Sequence, residues 1–132
     1  MTLMIREIPL ENGLVVRFLD HTRHYYGDFY LVRIEILCEI PLLPDYFDDQ
    51  ADLEEAQRLV GDPAIYRRVV EQMGVPSTAI ATVTERLMDN FTTHSLPYFS
   101  SPGFPRRFLR AELERTRKKS VLPSRVTAYQ HG

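Results

Sequence analysis

Residues Phe29–Ile40 limit most tightly what this chain can become. Tyr30, Val32, Ile34, Ile36, Cys38 and Ile40 are all apolar or aromatic, whereas the intervening Phe29, Leu31, Arg33, Glu35, Leu37 and Glu39 are mixed. Side chains repeat every two residues only on a strand; on a helix this set would scatter around the axis. The segment therefore reads as a long strand with one face on a core and the other at least partly wet. Pro41 and Pro44 end it, because proline has no N–H to give to a ladder.

The neighbouring chain supplies partners for that strand. Residues 3–8 and 14–20 read as two more strands, joined by Glu11-Asn12-Gly13, since Asn-Gly is a strong hairpin signal. Residues 21–27 read as a polar, aromatic connection closed by Gly27-Asp28. A helix is expected over 51–60, with Asp49 as N-cap and Gly61 just past its end. Residues 64–73 fit either helical spacing (Ile65, Val69, Met73) or a fourth strand, and their density of β-branched and aromatic side chains favours the strand. Ser77 is placed to cap a helix over 78–95 with Ile80, Val83, Leu87, Met88 and Phe91 on one face. A Pro/Ser/Gly loop over 96–104 leads to a last helix, 105–119, with Pro105 in its first turn and Phe108, Leu109 and Leu113 as its apolar stripe. The expected fold is α+β: a three- or four-stranded antiparallel β-meander packed on one face by two or three α-helices. Residues 1–120 form a single α+β domain in this reading, and 121–132 a loosely ordered C-terminal tail.

A length of 132 residues is that of one ordinary domain, and 44% apolar with 26% charged residues argues against disorder. The lone Cys38 excludes an internal disulfide and a Cys-rich zinc site, which suits a cytoplasmic setting. No apolar run reaches the roughly 20 residues a membrane helix needs, so no membrane partner is expected. Arg6 and Glu7 interrupt the first ten residues, unlike the core of a signal peptide.

Charge is divided unevenly. From Ser101 onward eight basic residues stand against two acidic ones, whereas residues 1–100 hold eight basic and sixteen acidic. Such a split suits either a nucleic-acid partner or a basic helix seated on an acidic body. A net charge of −2 would repel nucleic acid at long range, which favours the second reading.

Three groups could carry function. In the 21–28 loop, His21 and His24 stand three apart between Asp20 and Asp28, and with Tyr25 or Tyr26 and Asp28 they make a donor set suited to Zn, Mn or Fe or to a small ligand. A hairpin loop does not hold two rings on one side, however, and a polar turn explains the same residues. On the last helix, Arg106, Arg107, Arg110 and Arg117 could meet phosphates with Tyr98 and Phe99 as stacking platforms. Glu112 and Glu114 interrupt that stripe. On the less apolar face of the long strand, Phe29, Leu31 and Leu37 could form a patch that needs a partner. Asp45, Asp48, Asp49 and Asp52 lack calcium-loop spacing and suit helix capping. Cys38 falls on the apolar face, where a thiol is inert. Glu7, Arg17, Arg33 and Glu35 suit cross-strand ion pairing. No cofactor motif is present, so none is expected.

Glu11-Asn12-Gly13-Leu14, Tyr26-Gly27-Asp28, Val32-Arg33-Ile34, Cys38-Glu39-Ile40-Pro41-Leu42, Met73-Gly74-Val75-Pro76 and Leu96-Pro97-Tyr98 together resemble small uncharacterised bacterial proteins. The resemblance implies a bacterial origin and brings no activity. The sequence leans away from an enzyme and toward an interaction or assembly domain, with a homodimer or another protein as partner. The alternatives are a metal- or ligand-binding protein, with an enzyme as one version of it, using the His21–Asp28 loop, and nucleic-acid binding through the basic helix.

Overall fold

The computed structural model describes the backbone of residues 3–131 and the side chains of residues 3–119. Five strands form one antiparallel sheet: β1 (Leu3–Pro9), β2 (Val15–Asp20), β3 (Arg23–Tyr26), β4 (Phe29–Ile40) and β5 (Ala64–Pro76). Three α-helices accompany them: α1 (Gln50–Leu59), α2 (Ile80–Phe99) and α3 (Phe104–His131). The α+β class expected from the sequence is the observed one. Contacts group the chain into two compact units, Met1–Glu39 with Ile65–Pro102, and Ile40–Ala64 with Gly103–Gly132.

In the first unit β4 is the central strand. Val16 faces Cys38, Asp20 faces Ile34, Arg23 faces Leu31 and His24 faces Tyr30. This register does not slip between β2 and β3, and in the gap His21 N–H donates to Arg33 O at 2.8 Å. Thus β2 and β3 are one arm of a long hairpin and β4 is the other. The expected connection over 21–27 is therefore a strand at Arg23–Tyr26. All four of its residues are exposed, so it carries none of the apolar alternation by which a strand is recognised. With one edge of β4 occupied by this arm, β5 takes the other. The sheet order is β1, β2/β3, β4, β5, with β1 and β5 at the edges.

The turn between β1 and β2 is held from both ends. Gly13 alone adopts positive φ, +87°, and its N–H donates to Leu10 O at 3.1 Å. Asn12 is not in that region; its Oδ1 accepts from Leu14 N at 3.2 Å, and its Nδ2 donates to Phe99 O at 2.7 Å and Ser101 O at 3.1 Å. The asparagine thus satisfies carbonyls at the end of α2, which a helix terminus leaves without partners.

One sheet face carries Val16, Phe18, Ile34, Ile36 and Cys38, all buried, and α2 lies on it. Phe18 meets Phe91 edge to face at 5.8 Å, and on β5 Tyr66 packs on Phe99 and Arg68 lies over the Phe91 ring. Val83, Met88, Phe91 and Phe99 are the buried residues of α2, while Ile80 and Leu87 are half-buried. Two boundaries differ from expectation. Ser77 makes no side-chain cap; it opens a 3₁₀ turn, and α2 begins at Ile80. Its other end runs through Pro97 to Phe99, into the segment expected to be a loop. Burying Phe99 against Phe91 and Tyr66 outweighs the one hydrogen bond that a proline near a helix end removes.

The second unit holds α1 and α3. Asp49 caps α1, its carboxylate accepting from Asp52 N at 2.8 Å. Replacing Asp49 by alanine should lower stability by about 1 kcal/mol. A urea titration whose midpoint does not move would show the cap to be idle. Leu53 and Ala56 of α1 are buried, as are Phe104, Leu109 and Leu113 of α3. Helical backbone in α3 continues to His131, and the side chains of 120–132, where a loosely ordered tail is expected from the sequence, lie outside the described residues. Among the described residues no helix is long and apolar enough to cross a membrane.

Candidate interaction surface

The second face of the first unit's sheet is built from the odd-numbered residues of β2, β4 and the first ten residues of β5. Its polar groups are tied in pairs across strands. Arg17 Nε donates to Glu7 Oε2 at 2.9 Å, and Arg33 donates to Glu71 Oε2 at 2.8 Å. Glu35 takes His21 Nε2 at 3.0 Å on one oxygen and Arg67 Nε at 2.7 Å on the other. Carboxylate and basic side chain thus meet in pairs at Glu7, Arg17, Arg33, Glu35, Arg67 and Glu71.

Apolar side chains stand between those pairs. Ile65, Val69 and Met73 of β5 are 48%, 37% and 57% exposed. Phe29 is 46% exposed at the far end of β4, and Met4, directly opposite Leu19, is exposed near the β1 edge. The α-helix of this unit, α2, lies on the opposite face. Alternation in β5 ends at Gly74, whose φ of +69° resets the strand. Met73 before it is exposed and Val75 after it is buried, although both numbers are odd. A parity break of this kind is what a left-handed glycine inside a strand produces.

The sequence candidates distribute unevenly over this frame. Phe29 is on the face and accessible. Leu37 is half-buried, and Leu31, at 6% exposure, offers almost no surface. Ile65, Val69 and Met73 are legible in the sequence only as one of two alternatives, because whether they share a face depends on 64–73 being a strand. His21 and His24 point to opposite sides of the sheet. His21 meets Glu35, while His24 Nε2 lies 2.6 Å from Gly27 O and its ring stands against Tyr30 at 5.3 Å. Tyr25, Tyr26 and Asp28 are exposed at the hairpin tip, and Asp28 O accepts from Ser77 N at 3.2 Å. Among the described residues no three His, Cys, Asp or Glu side chains are placed to share a metal ion.

In the second unit the arginines of α3 meet carboxylates. Arg106 donates to Asp48 Oδ1 at 2.9 Å and to Asp45 O at 2.7 Å, and Arg110 reaches Asp48 Oδ2 at 3.2 Å. Arg117 pairs with Glu55 and with Asp52 at 3.1 Å, while Arg107 is exposed. Hydrogen bonding to Glu55 holds the Arg117 guanidinium above its usual pKa. Phosphate contact by Arg106, Arg110 or Arg117 would compete with these partners.

Cys38 of β4 is buried at 1% exposure, and burial, the largest influence, pushes its thiol up to about 11. At pH 8 an aromatic disulfide reagent should leave the native thiol unmodified and label it fully in denaturant; rapid native labelling would contradict the burial. The unfolded thiol ionises at about 8.5, so the folded state holds its proton more tightly. This contribution is present below that pH and fades as pH rises toward 11. Stability of the wild type should therefore fall more steeply above pH 9 than that of Cys38→Ala.

No family model, curated protein or solved structure matches this chain.

Proposed function

We propose that this protein works by binding another protein chain through the odd-numbered face and outer edge of its sheet, and not by catalysis. The observation that supports this most is the run Ile65, Val69 and Met73, three large apolar side chains in register and open to solvent on an edge strand. Isolated apolar side chains are ordinary on a protein surface, but three that recur at every fourth residue of one exposed edge strand, parted only by the ion-paired Arg67 and Glu71, form a row that a partner can cover. The charge pairs beside the row favour a protein partner over a lipid or an apolar small molecule. They present fixed, alternating signs that a second polypeptide can match.

A photo-crosslinking amino acid at Ile65 or at Met73 tests the reading in extracts of the cells that make the protein. Discrete adducts are expected from both positions and none from exposed Ala81 on α2. Absence of adducts at β5, or equal labelling at Ala81, would remove the basis for it.

A further inference from the structure

Resting on that reading, we propose that the partner is a second copy of this chain, joined by antiparallel pairing of β5 with its own symmetry mate about an axis through Val69. Three observations carry this.

The first is the state of the edge. Of the thirteen residues of β5 only Ala64 and Val75 are buried. Among the described residues β5 pairs with β4 alone, so its outer row of N–H and C=O groups has no strand beside it. Exposed edges of this kind recruit strands unless prolines, bulges or unmatched charges, lysine above all, block them. Here the backbone blocks stand only at the ends, Pro63 before the strand and Gly74 and Pro76 at its finish, while the charges within, Arg67, Arg68 and Glu71, are of both signs. Residues 65–73 between them contain neither proline nor lysine. The open window is about 30 Å long, enough for one strand of similar length.

The second is the order of side chains in that window. Along the odd-numbered face it reads Ile65, Arg67, Val69, Glu71, Met73. Reversed, the order keeps its apolar positions and exchanges the two charges. An antiparallel copy centred on Val69 therefore sets Arg67 against the partner's Glu71, Glu71 against the partner's Arg67, and Ile65 against the partner's Met73. Other alignments fail on charge. Slipping one way sets Arg67 opposite an apolar residue and then opposite the partner's Arg67; slipping the other way does the same for Glu71. A parallel pairing in register stacks like on like. Directly opposed like charges destabilise a sheet and opposite charges stabilise it, so charge alone selects this register. A two-fold interface must be self-complementary in just this sense.

The third is that both charged side chains are already engaged in ion pairs on the face. Arg67 is held by Glu35 at 2.7 Å and Glu71 by Arg33 at 2.8 Å. Pairing would extend each into a row, Glu35, Arg67, the partner's Glu71 and the partner's Arg33, with signs alternating throughout. Each pair already limits its side chains, so less freedom is lost on association than for unpaired ones, which favours binding.

Charge-reversal variants of the full chain, followed by sedimentation equilibrium, test the arrangement. The wild type should be measurably dimeric at about 100 μM, as suits a small single-strand interface. Arg67→Glu and Glu71→Arg should each weaken self-association by at least about tenfold. An equimolar mixture of these two variants should regain a dimer, because each opposed pair is then again opposite in sign. Should either charge variant fail to fold, Val69→Cys in a Cys38→Ala background gives a second measurement. It should form a disulfide-linked dimer on mild oxidation, whereas Gln72→Cys in the same background should not. A wild type that stays monomeric at that concentration, a mixture that does not recover, or crosslinking from Gln72→Cys in place of Val69→Cys would overturn the proposal. A monomeric wild type whose Met73 photo-adduct contains a different protein would overturn the second copy as partner and leave β5 as a binding edge.

Discussion

Replacing Phe18 by alanine should lower the stability of the protein by about 3–5 kcal/mol, the range for deleting a buried ring. The side chain is fully buried, sits opposite Ile36 in the ladder and meets the Phe91 ring edge to face at 84°. Removing it takes away transfer free energy and leaves a cavity that a sheet pinned on both sides cannot collapse. Since small domains are stable by only about 5–15 kcal/mol, the loss is a large fraction of the total. Urea unfolding should show a lower midpoint with an unchanged slope. Phe18→Leu should lose much less. A double-mutant cycle with Phe91→Ala should return a coupling of about 0.5–1.5 kcal/mol for the ring pair. A loss below about 1 kcal/mol for Phe18→Ala would mean that the sheet and α2 do not pack as described.

Phe104→Ala should be of similar size, about 3–5 kcal/mol, for a different local reason. Phe104 is the first residue of α3, is 1% exposed, and stacks on Phe108 at 5.7 Å. Pro105, the next residue, is also buried and fixes the backbone as it enters the helix. The ring therefore anchors the start of α3 in the second unit. Phe108 is only half-buried, so Phe108→Ala should cost clearly less. The reverse order in denaturant titrations would show that the N-terminal turn of α3 is not where this unit's core lies.

How much of the fold can be read in advance depends on whether the signal is local. The period of β4, the Asn12-Gly13 turn and the Asp49 cap each arise from steric and hydrogen-bonding preferences within a few residues, and each appears where expected. Arg23–Tyr26 escapes such a reading because an exposed hairpin tip has no apolar face. The last turn of α2 escapes it because Pro97 signals a break locally, while the gain that overrides it comes from Phe91 and from Tyr66, distant in sequence. The candidate surface is half legible: parity places Phe29 on the outer face, but the same parity says nothing of Leu31 being covered.

The residues by themselves determined that a long strand lies at Phe29–Ile40, that Cys38 points into a core and that the class is α+β. Periodicity is a property of consecutive residues, so it survives in any arrangement of the chain that buries the apolar side. Tertiary structure alone decided that β5 is an edge strand, that its outward row is Ile65, Val69 and Met73, and that Arg106, Arg110 and Arg117 of α3 are matched by Asp48, Asp52 and Glu55. Strand order and ion pairing join segments tens of residues apart, and many foldings share the same local pattern while bringing different segments together. Period-2 alternation along Phe29–Ile40 could say that one face would be wet; only the order of strands shows which neighbouring edge is left open beside it.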